Sequence, residues 1–83
     1  MYDLHYSELS IKQLDKLESN SRERIIKSLE RIRERPDAFV TRLVGESSYR
    51  LRVGDYRVIL DLQKDVLIIL VIEVAKREDV YKR

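Results

Sequence analysis

The chain is predicted to be an α+β domain: an N-terminal strand, then a helical hairpin packed on one face of a mainly antiparallel sheet of four to five strands. Two observations predict this. Between residues 7 and 35 apolar side chains recur every three or four positions, the helical period. From Tyr49 onward they alternate or run continuously, the strand period, with the turn dipeptides Gly54-Asp55 and Lys64-Asp65 between the runs. With 83 residues there is room for one domain, 1–83, and for no second core.

The elements follow in order. Tyr2, Leu4 and Tyr6 alternate with Asp3 and His5 as a short amphipathic strand. Ser7 is the N-cap of a first helix whose apolar positions are Ile11, Leu14 and Leu17. The cluster Ser19-Asn20-Ser21 breaks that helix and caps a second, with Asn20 and Glu23 at capping-box spacing. Ile25, Ile26, Leu29 and Ile32 form the stripe of the second helix, and Pro36 ends it. A short strand is expected over 39–44. Tyr49–Val53 and Tyr56–Leu62 form a hairpin about Gly54-Asp55. Val66–Val74 reads as a central strand buried on both faces, with Leu70 and Ile72 on the side away from the helices.

Composition narrows the function. Hydrophobic residues are 43% and charged residues 39%, which suits a modest core under a heavily charged surface and makes burial against a partner a reasonable expectation. No cysteine is present, so disulfide and thiolate chemistry are excluded and a cytoplasmic location is permitted. No signal peptide is recognised, and the longest apolar run, Val66–Ile72, is too short to span a bilayer, so no membrane partner is expected. The net charge of +2 is unevenly spread: 22–35 holds six bases against three acids, and the last eight residues hold Lys76, Arg77, Lys82 and Arg83 against Glu78 and Asp79. Basic segments in a near-neutral chain fit contact with an anionic polymer, and they also fit solvated helix faces.

The segment Tyr49–Arg57 carries the sharpest signal. Arg50 and Arg52 share one strand face, while Tyr49, Leu51 and Val53 share the other. A two-residue turn at Gly54-Asp55 pairs Val53 with Tyr56 and puts Arg52 directly opposite Arg57. Like charges opposed across strands are destabilising, and an anion such as phosphate relieves them; arginines splayed into solvent are the plain alternative. Other chemistries have little support. His5 is the lone histidine and builds no metal site, the two glycines form no phosphate loop, and no serine has a histidine partner in the pattern. After the last strand the chain should leave the sheet near Arg57, bringing Lys76, Arg77 and Tyr81 towards the same phosphate. Tyr81 then either stacks on a base or closes the sheet edge.

Tyr49–Ile59 (YRLRVGDYRVI), an apolar strand, and Val74–Tyr81 (VAKREDVY) together resemble the RelE branch of the RelE/ParE toxin superfamily. The resemblance extends over essentially the whole chain, including the helical hairpin after a first strand, the proline after the second helix and the Gly45 loop before the YRLR strand. It implies a RelE-like fold and a ribosome-dependent mRNA endoribonuclease. Such toxins cut the codon in the ribosomal A site by attack of a ribose 2′-hydroxyl on the adjacent phosphate, with no metal or other cofactor, and a RelB-like antitoxin neutralises them. Under the same resemblance Arg57 matches the arginine that neutralises charge on the phosphorane. Arg77 matches the basic residue assigned to protonating or stabilising the 5′-oxygen leaving group, and Tyr81 matches the tyrosine that stacks on and orients the substrate base. Arg52 joins this catalytic group, while Arg50, Lys76 and Lys82 are substrate-binding candidates.

Arg50 and Arg52 stand where well-studied members carry lysines, one of them proposed as the general base. Arginine stays protonated and is a poor proton acceptor, so the expectation is a slow or strictly ribosome-dependent nuclease relying on electrostatic stabilisation and alignment. Two alternatives stay open: a ParE-like inhibitor of DNA gyrase, and an inactive binding module whose basic patch serves its antitoxin.

Overall fold

The computed structural model describes residues 1–43 and 48–76. Its order is β1 (Asp3–Tyr6), α1 (Glu8–Asp15), α2 (Ser19–Arg31), a 3-10 turn (Pro36–Ala38), β2 (Thr41–Arg42), β3 (Tyr49–Val53), β4 (Tyr56–Gln63) and β5 (Ile68–Lys76). The five strands form one sheet in the spatial order β1-β5-β4-β3-β2. β1 runs parallel to β5 and every other pair is antiparallel, so two helices pack on a mixed sheet.

The helices are held by the residues that predicted them. Ser7 caps α1, its Oγ accepting from the Ser10 N–H at 3.0 Å. Leu14 from α1, with Ile25, Leu29 and Ile32 from α2 and its C-cap, fills one side of the core. Leu51, Val53, Val58, Leu60, Leu62, Ile69, Val71 and Val74 fill the other. The end of α2 is tied to the start of the chain: the Tyr2 N–H donates to the Arg33 carbonyl at 2.9 Å, and Arg33 Nε donates to the Tyr2 carbonyl at 2.8 Å.

Several boundaries differ from the sequence reading. Ile11 and Ile26 are exposed, since the helix stripes that reach the sheet are narrower than the apolar pattern. Glu18 is the N-cap residue of α2 and makes no side-chain cap bond, so Ser19, Asn20 and Ser21 lie in the first turn instead of forming a box. α2 ends at Arg31, before Pro36, which instead begins the 3-10 turn. The strand expected over 39–44 shortens to Thr41–Arg42; Phe39 closes the 3-10 turn, while Val44 and Gly45 fall outside the described residues. Val66 and Leu67 belong to the β4–β5 turn and are exposed, with Leu67 at φ 56°.

β5 contains the feature that shapes the open face. Its pairing with β4 shifts register between Ile59 and Leu60: Leu60 faces Val71 but Ile59 faces Glu73, leaving Ile72 as the extra residue of a bulge. Buried positions change parity across it, from Ile69 and Val71 to Val74. α1 satisfies the interrupted backbone. Ser7 Oγ donates to the Ile72 carbonyl at 2.7 Å, and the Val74 N–H donates to Gln13 Oε1 at 2.6 Å.

Candidate functional site

The helices occupy one face of the sheet and leave the other to the polar positions of β3, β4 and β5. Gly54 adopts φ 58°, the left-handed value that a glycine-first two-residue hairpin turn needs. That turn fixes the register: Val53 faces Tyr56 and Arg52 faces Arg57, as the sequence predicts. Residues directly opposed in this way have Cβ atoms about 5 Å apart. Arg50 lies two positions along on the same face, facing Ile59 on β4 and Thr41 on β2. Three guanidinium-bearing residues therefore share one end of the open face.

Their environments differ. Arg52 is exposed and Arg50 half-buried, but Arg57 is only 5% exposed. For Arg57 this burial departs from the alternative in which the arginines splay into solvent. Arg57 sits on an interior strand between Arg52 and Ala75, where neighbours enclose its stem on both sides. The bulge brings Glu73 to this same face, two pairs from Arg57 along the β4–β5 ladder, opposite Ile59. Arg57 Nε and Glu73 Oε1 are both sealed from solvent. Glu73 is not among the candidates named from the sequence, although it is the lone charged residue between Val66 and Ala75 and a carboxylate in such an apolar strand is a visible signal.

The remaining candidates are placed as follows. Lys76 ends β5 opposite Tyr56, exposed and one residue out of phase with the face of Arg57. Arg77, Tyr81 and Lys82 fall outside the described residues. The strand that precedes them, β5, passes Arg57 at Ala75 and ends at Lys76 opposite Tyr56. His5 is exposed on β1, paired with Leu70 and separated from β4 by β5. Among the described residues no group of three or more His, Cys, Asp or Glu side chains is placed to hold a metal ion. No helix among them is long and apolar enough to cross a membrane. Two or more guanidiniums converging from adjacent strands can bind a phosphate and offset negative charge that builds on it.

Comparison with known proteins agrees with this architecture. The family model described as the ParE toxin of the type II toxin-antitoxin system parDE matches residues 4–81. The intact Escherichia coli RelBE toxin-antitoxin complex contains a chain 28% identical, with TM-score 0.80, covering 92% of this chain and 96% of that one. An E. coli RelE variant with two arginines changed to alanine, in the free state, is 30% identical, with TM-score 0.80 and coverage of 98% and 90%. A chain of the archaeal RelE-RelB complex from Pyrococcus horikoshii is 25% identical, with TM-score 0.79 and coverage of 92% and 94%. Comparison with curated proteins gives no match. The chain belongs to the ParE-toxin family, within the RelE/ParE superfamily, and is a toxin of the type II toxin-antitoxin class.

Proposed function

We propose that this family member is a ribosome-dependent mRNA endoribonuclease, cytoplasmic, and neutralised by a RelB-like antitoxin. The observation that carries the reading is the direct opposition of Arg52 and Arg57 on the sheet face that no described helix covers, with Arg50 beside them. That arrangement suits one scissile phosphodiester. The structural likeness to RelE chains, several of them in complexes with RelB, supports both the activity and the partner.

In the proposed reaction the ribose 2′-oxygen attacks the adjacent phosphorus and the bond from phosphorus to the 5′-oxygen breaks. A 2′,3′-cyclic phosphate and a 5′-hydroxyl result. Arg57 and Arg52 offset the charge on the phosphorane, and Arg57, being enclosed, does so in a low-dielectric setting where a fixed charge is worth more. Arg77 stabilises the negative charge on the departing 5′-oxygen, which takes its proton from water, Tyr81 stacks on the base, and Arg50, Lys76 and Lys82 hold flanking phosphates. No arginine takes the proton from the 2′-hydroxyl, because guanidinium stays protonated at working pH. That proton leaves to solvent or to a ribosomal group, and alignment by the ribosome supplies much of the rate. The half-buried Ile59, Leu70 and Ile72 give the antitoxin apolar surface beside the basic residues.

The family model's own description favours one other reading, a ParE-like toxin acting on DNA gyrase. Mapping transcript 5′ ends after induction separates the two. New ends inside translated codons support the nuclease; DNA-damage signalling with no such ends overturns it.

A further inference from the structure

A second basic feature lies around the edge of the sheet from the candidate site. Arg24, Lys27, Ser28 and Arg31 recur at helical spacing along one flank of α2, beside the buried stripe of Ile25, Leu29 and Ile32. β2 covers only Tyr49 and Arg50 of β3, so among the described residues the outer edge of β3 beyond Arg50 has no strand beside it. Between that edge and α2 is an open groove of about 320 Å³, lined by Arg24, Lys27, Ser28 and Arg31 and by Arg52 at the hairpin end. Arg24 reaches the turn so closely that a Cβ on Gly54 would lie 2.9 Å from its Nη1.

The groove lining carries four cations and no carboxylate. Among the described residues none of the four has an ion pair; the salt bridges fall on Arg33 and Lys64 instead. Lys27 and Arg31 are also like charges at i,i+4 on one helix, which opposes folding unless an anion joins them. The stripe from 24 to 31 spans about 10 Å, enough for more than one phosphate. Arg52 belongs to both features, lining the groove and facing Arg57 across the ladder.

We propose that the groove between α2 and the outer edge of β3 is a second binding site, taking RNA backbone phosphates through Arg24, Lys27, Arg31 and Arg52. This rests on the nuclease reading above and adds a place for the strand beyond the scissile phosphate. Continuity with Arg57 favours RNA over an acidic protein segment. The phosphates belong either to the message or to structural RNA of the ribosome.

The test uses the purified chain and the variant Lys27→Gln/Arg31→Gln, both substitutions being at exposed positions outside the catalytic candidates. The probe is a short 2′-O-methyl RNA, which cannot undergo 2′-hydroxyl attack, followed by anisotropy between about 50 and 200 mM salt. Loss of two phosphate contacts is expected to shallow the slope of log K against log salt by about 1.4 and to weaken binding roughly tenfold at the lower salt. That result assigns the groove to the message. An unchanged probe titration with weaker co-sedimentation on vacant ribosomes assigns it to structural RNA. No change on either overturns the proposal, as does weaker binding of the antitoxin alone. Lys27→Gln by itself, with about half the slope change, serves if the double variant melts early. Because the probe is never cut, absence of new transcript ends defeats the nuclease reading without touching this result. Normal cleavage with an unchanged slope defeats the groove alone.

Discussion

Arg57 combines two properties that its position in the sequence does not equally reveal. Its partner across the ladder was legible, because a two-residue Gly-Asp turn leaves one register. Its burial was not, because alternation assigns a face without saying what encloses it. The burial changes how the residue is tested. Arg57→Ala should abolish toxicity, but it should also cost about 1–3 kcal/mol of stability, because the groups around a buried guanidinium lose the interaction it makes. Arg57→Lys keeps the charge and loses the planar fork, so it should melt close to wild type yet cut at least about 10²-fold more slowly. Full toxicity in either variant refutes the catalytic assignment. Gly54 is a second residue with a defined requirement. Gly54→Ala puts a side chain at φ 58° against Arg24, and chemical denaturation should show a loss of about 1 kcal/mol or more.

At the level of elements, the helices and the hairpin were readable because their signals are local: period, cap and turn. The bulge in β5 was not. It depends on Ser7 and Gln13, which are 65 and 61 residues distant from the backbone groups they bond. No local pattern around Ile72 announces that partnership. For the same reason Glu73 was missed, since an unbulged β5 would turn position 73 towards the helices. Replacing the acceptor tests the arrangement. Gln13→Leu leaves the Val74 N–H without its partner and should cost about 1–3 kcal/mol by thermal or denaturant melting. Cleavage measured well below the melting temperature should also fall, because β5 loses the clamp that aims Glu73 and Ala75 at the site. A variant as stable and active as wild type would show that the clamp is incidental.

For the molecule as a whole, topology was legible from element order and from the resemblance, but the parallel pairing of β1 with β5 joins the two ends of the chain in a way no local window shows. The fold also sets a pH response. Burial, and then the Glu30 carboxylate, raise the Tyr6 pKa above its ordinary 10.0. The unfolded chain then loses this proton first, so the contribution is intact below about pH 10 and stability declines as pH rises past it. Lys64, raised by its hydrogen bond to Asp37, acts in the same direction above its ordinary 10.5, weakly because it is exposed. Tyr6→Phe should flatten the alkaline decline in melting temperature, and an unchanged decline would remove Tyr6 as its source.

The pairing of first and last strands bears on how a cell can make such a protein at all. Asp3 waits for Ile68, and Arg57 waits for Ala75, so the sheet cannot close, nor Arg57 gain its neighbour on β5, until residues 68–76 have left the exit tunnel. Under the nuclease proposal, a nascent chain short of that stretch lacks the completed sheet that carries the site. The same completed sheet is the surface that the proposed antitoxin would cover.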